Sequence, residues 1–264
     1  MKPFVHLHVH SPYSFLDGAS SLRELLTRAA EEGQPGLALT DVHSLAGAVE
    51  ALQEGKRQGL QVALGAEVFL EPLAFPRKED LYPLVLLALG PRGYRQLSRL
   101  LTASLLTYPE KPRVTHEMLA QTLERAGGEL FLLTGGRRGE LAQRLLRGDR
   151  EGARAALEAL LRLLPRTTTL LLTPKGKPSS FPLAVELVNP FYPGGRRLQK
   201  ELFELAQIFA LPPLAANDVR YARPQAYPFY DVMVCIREGI DVSVPHPERP
   251  LNAQQDLKGT AEMA

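Results

Sequence analysis

The chain has 264 residues, 45% of them hydrophobic and 23% charged, which is the balance of a globular protein and excludes a disordered or fibrous one. Its 31 Lys and Arg against 29 Asp and Glu leave a formal charge of +2, so no electrostatic excess marks a module that wraps nucleic acid. The single cysteine, Cys235, excludes an internal disulfide framework and a cysteine-rich zinc ribbon, while the start MKPFVHLHVH and the lack of a long apolar run predict a cytoplasmic chain that is neither exported nor membrane-spanning.

Residues 4–10 alternate with period two, which predicts a strand with His6, His8 and His10 on one side and Val5, Leu7 and Val9 on the other. Ser20 is placed to cap a helix over 21–32, in which Leu22, Leu25, Leu26 and Ala29 form one stripe and Gly33 supplies the stop. A short buried strand over 36–39 follows. The polar turn 40–44 then leads into a second helix, where Leu45, Ala48, Val49 and Leu52 repeat at helical spacing up to Gly59. A strand over 61–64 ends in Gly65, Ala66 and Glu67. The rhythm continues with an apolar strand 84–89, a helix 93–106, a strand 129–133, helices over 139–164, strands 168–172 and 185–188, a helix 196–209, a strand 211–215 and a helix 227–238. Two stretches, 71–82 and 174–182, interrupt it, the second reading as a surface loop. Short apolar strands between amphipathic helices predict an α/β fold, with a parallel sheet covered on both faces or closed as a barrel in one domain.

In such folds the loops after the carboxyl ends of the strands build the site. Those positions hold His8 and His10, Asp41 and His43, Glu67, and Asn217 with Asp218. Two imidazoles and two carboxylates meeting at one rim suit Zn²⁺, Mn²⁺ or Fe²⁺, and the other reading of the histidines is hydrogen bonding inside a barrel. Gly135 to Gly139 and the similar Gly194 to Arg197 could bind an anion at a helix start, yet they lack the Lys-Ser/Thr ending of a phosphate loop and read first as helix entries. Cys235 lies in the apolar run 232–236 and reads as packing.

HLHVHSPYSFLDGA, LALTDVHSLAGAVE, LGAEVFL and AANDVRYA stand in an order and spacing that resemble the polymerase-and-histidinol-phosphatase (PHP) domain found at the amino terminus of bacterial DNA polymerase III α subunits. SPYSFLDGASSLRELL and SLAGAVE are closer to that lineage, including its error-prone paralogues, than to free-standing histidinol phosphatases. The resemblance covers nearly the whole chain and implies a distorted seven-stranded (β/α) barrel of the PHP type over residues 1–245. The tail 246–264 resembles the junction toward a polymerase domain, so the expectation is a domain or relative without a polymerase active site.

The resemblance also implies ligands position by position. The family's first metal site matches His8, His10, Glu67 and Asp218, all present. The second shares Glu67 but has Pro83 where the family carries His, and Gly136 where it carries Cys or His. The third matches Asp17 but has Val42, next to Asp41, and Arg220 in place of two histidines. Emptying two sites should remove most hydrolytic turnover and leave one divalent ion, Zn, Mn or Fe. Asp41 is expected to orient a ligating imidazole. His43 is read as a displaced ligand or as a loop or capping histidine, as are His116 and His246 in the second sense. Arg220 is read either as a fixed cation paired with Asp17 in the space of the third ion or as a surface arginine. The functional expectation is a mainly structural PHP domain in replication or repair synthesis, with a polymerase domain or proofreading subunit as partner, DNA reached through the parent protein, and no membrane. The rival is a metal-dependent phosphoesterase or 3′–5′ exonuclease using the reduced ligand set.

Overall fold

The computed structural model describes residues 3–75, 80–165, 171–172, 178–179, 182–187 and 191–263. In chain order its elements are β1 (His6–Val9), α1 (Leu22–Glu31), β2 (Gly36–Leu39), α2 (Ala48–Gln58), β3 (Gln61–Leu70), β4 (Tyr82–Ala88), α3 (Pro91–Thr107), α4 (His116–Ala126), β5 (Leu130–Leu133), α5 (Glu140–Leu146) and α6 (Arg150–Leu163). These are followed by β6 (Leu171–Leu172), β7 (Pro178–Ser179), β8 (Leu183–Leu187), α7 (Gly195–Ile208), β9 (Pro213–Ala215), α8 (Tyr227–Glu238) and α9 (Thr260–Met263). The main sheet has seven strands in the order β1-β2-β3-β4-β5-β8-β9. Two compact units divide the chain: Met1–Leu64 with Ala216–Ala264, and Gly65–Ala215.

In the first unit β1 and β2 pair in parallel, as do β2 and the first four residues of β3. All of β2 is buried, which is why it reads as an unbroken apolar run. Helix α1 starts one residue later than expected. Ser21, not Ser20, is its cap: the Ser21 hydroxyl accepts from the Glu24 amide at 3.3 Å and the Glu24 carboxylate accepts from the Ser21 amide at 2.8 Å. Ser20 accepts instead from the Ala222 amide. The expected stripe of α1 is buried, and Leu25, Leu26 and Ala29 pack with Val9, Leu37, Val219, Ala222 and Leu257.

Helix α2 presents a different face from the expected one. Ala48, Ala51, Glu54 and Gly55 are buried while Val49 and Leu52 are exposed. Small residues face inward because the helix lies close to its neighbours: a Cβ on Gly55 would stand 2.6 Å from Val62, and one on Gly47 2.7 Å from the Tyr13 ring. After β9, Val219 bridges Val9 in parallel, and Tyr221 bridges Asp256. The C-terminal residues are tied in by Lys258, whose carbonyl lies 2.9 Å from His6 Nε2 and accepts from Gln34, and whose ammonium meets Asp256 at 2.7 Å.

In the second unit the expectation of an all-parallel sheet is corrected. β4 runs antiparallel to both β3 and β5, and only β5-β8 and β8-β9 are parallel. A parallel β3–β4 step needs a crossover of a dozen or more residues, normally helical, and the Pro-rich stretch after β3 carries no helical pattern. Helix α4, unassigned in the sequence reading, starts at a Thr115 cap that accepts from the Met118 amide. The pair β6-β7 forms its own two-stranded sheet, so Leu171 and Leu172, the described part of the expected strand 168–172, pair there rather than in the main one. Residues 168–170 of that strand, Val188 of the strand 185–188, and parts of the stretches 71–82 and 174–182 lie outside the described residues.

Candidate metal centre

His8 on β1 and His10, the residue just past it, have ring centroids 5.1 Å apart and both side chains are buried. The parallel bridge sets Asp218 beside them, since the Val219 amide donates to the His8 carbonyl and the His10 amide to the Val219 carbonyl. Asp218 adopts a left-handed backbone, φ +48°, and its Oδ1 lies 3.5 Å from His8 Nε2 and 3.7 Å from His10 Nε2. Glu67 was expected at a strand end and is instead inside β3, which runs on to Leu70. It is fully buried, and Arg138 Nη2 stands 3.3 Å from its Oε1. One donor atom from each of His8, His10, Glu67 and Asp218 lies within 4.8 Å of the others.

Asp41 does not touch an imidazole directly. Its buried carboxylate accepts from the Ser11 amide, the Ser11 hydroxyl and the Ser14 hydroxyl, each at 2.7 Å. Burial pushes the Asp41 carboxyl above its ordinary value, and the serine hydrogen bonds oppose that rise. Ser14 is the link that sequence reasoning missed. Having given its proton to Asp41, its Oγ accepts from the Val42 amide at 3.0 Å and stands 3.1 Å from His10 Nδ1. A hydroxyl has one proton, so His10 must donate from Nδ1, and its Nε2 keeps a lone pair on the side facing Asp218. The local signal was present in His10-Ser-Pro-Tyr-Ser14, a serine four residues past a candidate ligand.

Arg220 is 1% exposed, which removes the surface-arginine reading. Its Nη1 pairs with Asp17 Oδ2 and its Nη2 with Asp218 Oδ1 at 2.6 Å. Asp17 holds a second cation, Arg237 of α8, at 2.7 Å from Oδ1. Arg237 and Arg138 gave no sequence signal, because each reaches its carboxylate from a distant segment. His43 is buried in the turn before α2 with φ +47°, and it is not one of the four clustered donors. His116 sits in the first turn of α4 with Nε2 3.1 Å from the Glu71 carbonyl, and His246 Nδ1 accepts from the Glu248 amide. The two positions where the resemblance implies lost ligands of the second site are Pro83 on β4 and Gly136 in a one-turn 3₁₀ helix. The Gly136 amide donates at 2.6 Å to Glu186, a buried carboxylate on β8 that sequence reasoning also missed.

The sequence profile of the PHP domain matches residues 6–171. The chain belongs to the PHP family. This PHP domain is 36% identical over 270 residues to the error-prone DNA polymerase of Symbiobacterium thermophilum, a match covering 97% of the chain and 23% of that protein. It is 32% identical over 271 residues to the DNA polymerase III subunit alpha of Treponema pallidum, covering 99% of the chain and 21% of that protein. The domain thus spans less than a quarter of the length of either relative. A solved structure from Bifidobacterium adolescentis, described as a metal-dependent phosphoesterase, superposes with a TM-score of 0.53 at 14% identity over 82% of this chain and 88% of that one. The likeness shows the fold, a distorted (β/α) barrel. The resemblance read from the four motifs is borne out, and no helix among the described residues is long and apolar enough to cross a membrane.

The donor set is of a kind that could hold a divalent ion. Tetrahedral donors at bonds of about 2.0–2.2 Å stand roughly 3.4 Å apart, a little closer than the spread among these four groups. Asp218 Oδ1 forms an ion pair with Arg220, yet a carboxylate oxygen carries two lone pairs, and Glu67 has a second oxygen beyond the one facing Arg138.

Proposed function

We propose that this PHP domain is a structural and interaction module of a DNA polymerase of the error-prone or α-subunit type, with a metal centre reduced to one ion, and that hydrolysis is not its main task. The observation that carries this reading is the buried Arg220 guanidinium, which hydrogen-bonds Asp17 and forms an ion pair with Asp218. A protein cation fixed on those two carboxylates stands where a further ion would need them as ligands. Hydrolysis of phosphoesters by paired ions uses one to activate water and another to hold the leaving oxygen.

His8, His10, Glu67 and Asp218 would hold the remaining ion, Zn²⁺, Mn²⁺ or Fe²⁺, which supplies Lewis acidity when bound. The Asp41–Ser14–His10 chain fixes the His10 tautomer for that role. The proposed partners are the polymerase domain of the same polypeptide or a proofreading subunit in the cytoplasm, with DNA reached through the parent protein. Helix α8 supports an interaction role, since Phe229, Val232 and Ile236 line one exposed side of it. Residues 1–245 make up the barrel in this reading and 246–264 the junction, which the backbone bonds from Arg220 to Gln255 and from Leu257 to Tyr221 hold in place.

The test is metal analysis of the purified chain together with assays on a phosphodiester and on DNA 3′ ends in Mn²⁺ or Zn²⁺. The expected result is one ion per chain, lost in His8→Ala, and hydrolysis at background. Turnover that His8→Ala abolishes would overturn the structural reading in favour of the phosphoesterase or exonuclease.

A further inference from the structure

We propose that the exposed face of α3 is a docking surface for the phosphate backbone of DNA. Helix α3 runs for 17 residues with three arginines and no acidic residue. Arg92, Arg95 and Arg99 stand at i, i+3 and i+7, so they share one stripe. All three are exposed, while Gly93, Gln96, Leu97, Leu100, Leu101 and Ser104 face inward.

Four surface arginines on other helices have an acidic partner close by along the chain. Arg28 pairs with Glu32 on α1, Arg57 with Glu54 on α2, Arg154 with Glu158 on α6, and Arg197 with Glu201 on α7, each three or four residues along its helix. Arg95 and Arg99 make no ion pair with any described residue. The first turn of a helix favours anions by about 0.3–1 kcal/mol, so cations so near the start of α3 work against the helix's own stability. The amino-terminal amides are not the anion site, because the Glu129 carboxylate already accepts from the Arg92 and Gly93 amides at 2.9 and 3.1 Å. That leaves the guanidinium stripe as the feature to be explained.

The surface widens at one end. Arg92 Nε donates at 2.6 Å to the backbone carbonyl of Arg125, an exposed residue at the end of α4, so the backbone of a further arginine meets the stripe there. Glu124 and Glu129 are the acidic groups at that end, and none borders Arg95 or Arg99 on α3 itself. Along the helix the three arginines span about 10 Å at 1.5 Å per residue. One DNA strand offers a phosphate about every 3.4 Å of duplex axis, so the stripe faces two or three of them. The choice of DNA among polyanions rests on the polymerase reading above; the stripe itself does not depend on the metal centre.

The experiment is fluorescence anisotropy of a labelled 20-base-pair duplex titrated with the full chain at several salt concentrations. The expected result is weak, sequence-independent binding, with log K falling against log salt at a slope of about −2 to −3. Arg95→Glu with Arg99→Glu should weaken binding at least ten-fold at low salt and cut the slope by about 2, with an unchanged circular dichroism spectrum because both side chains are exposed. Arg154→Glu on α6 should bind like the parent chain. Equal binding by the double variant, or capture of poly-glutamate but not DNA, would overturn the proposal. Loss of the one-ion stoichiometry with DNA binding intact would sink the metal reading and leave this one standing.

Discussion

Replacing Arg220 with Ala is the most direct probe of the cation that this domain carries in its own sequence. The change takes one of two arginines from Asp17, 4% exposed, which keeps Arg237, and takes the arginine from Asp218, which keeps Gln255, His8 and His10 beside it. Removing one partner of a buried ion pair costs about 3–5 kcal/mol. Because Asp17 keeps a second arginine and the Asp218 side chain is 17% exposed, the lower end applies, about 3 kcal/mol. For a chain of this length that lowers the melting temperature by roughly 6–12 °C. The vacated space is then bordered by Asp17, Asp218 and His10, so a divalent ion can take over the charge. Mn²⁺ at 100 times its Kd would return about 2.7 kcal/mol. The assay is urea and thermal unfolding of the parent chain, Arg220→Ala and Arg220→Lys, with EDTA and with Mn²⁺. The reasoning is refuted if Arg220→Ala unfolds within 1 kcal/mol of the parent, or if Mn²⁺ stabilises both chains equally.

Three further outcomes follow from the same region. Ser14→Ala takes one of two donors from Asp41 Oδ1 and removes the hydroxyl that meets the Val42 amide and His10 Nδ1, so stability should fall by about 2 kcal/mol and metal affinity by 10–100-fold, read by unfolding and by competition with a chelator. Gly18→Ala puts a Cβ 2.0 Å from the Ser11 carbonyl oxygen, which forces the loop carrying Ser14 and Asp17 to shift; a melting temperature lowered by less than about 2 °C would contradict that packing. Burial holds the His6 imidazole at about 4, below its ordinary 6.5. The unfolded chain therefore takes up a proton first, so this contribution is whole above pH 6.5 and drains away as pH falls toward 4, by up to about 3 kcal/mol, and His6→Gln should flatten the unfolding profile across that window.

What could be read from the sequence was what depends on near neighbours. The nearness of His8 and His10 could be read because residues two apart on an extended chain point the same way, and the stripe of α1 because leucine spacing alone determines it. Ser21 rather than Ser20 caps α1 because Glu24 lies three residues from Ser21, a capping-box relation visible in the sequence itself. Helix α2 was misread for a deeper reason. Apolar size pointed to Val49 and Leu52, whereas close approach to the strand selected Ala51 and Gly55, and nothing local states the distance between a helix and its sheet. The direction of β4 and the contact between Asp17 and Arg237, 220 residues apart, belong to the same class of facts that only the folded chain fixes. Arg220 could be flagged only because family resemblance marked its position; a lone arginine after Asn-Asp-Val carries no such sign.

The charges around Asp17 also limit what the centre can bind. Within the first unit Asp17 and Asp218 contribute two negative charges, and Arg220 and Arg237 contribute two positive ones in direct contact with them. These carboxylates are neutralised before any ion arrives, unlike a hydrolytic site that keeps its acids for metal. A divalent ion entering beside them gains little from long-range attraction and must be held by the lone pairs of His8 and His10 and by the oxygens that the arginines leave open. Imidazole donors favour Zn²⁺ over Mn²⁺, which draws more of its affinity from carboxylates. Zn²⁺ should therefore outcompete Mn²⁺ in the parent chain, and Arg220→Ala, by freeing two acids, should narrow that preference. Competition dialysis of the two metals against both proteins measures the difference, and an identical Zn²⁺ to Mn²⁺ ratio in the two would show that the guanidinium has no hold on the metal.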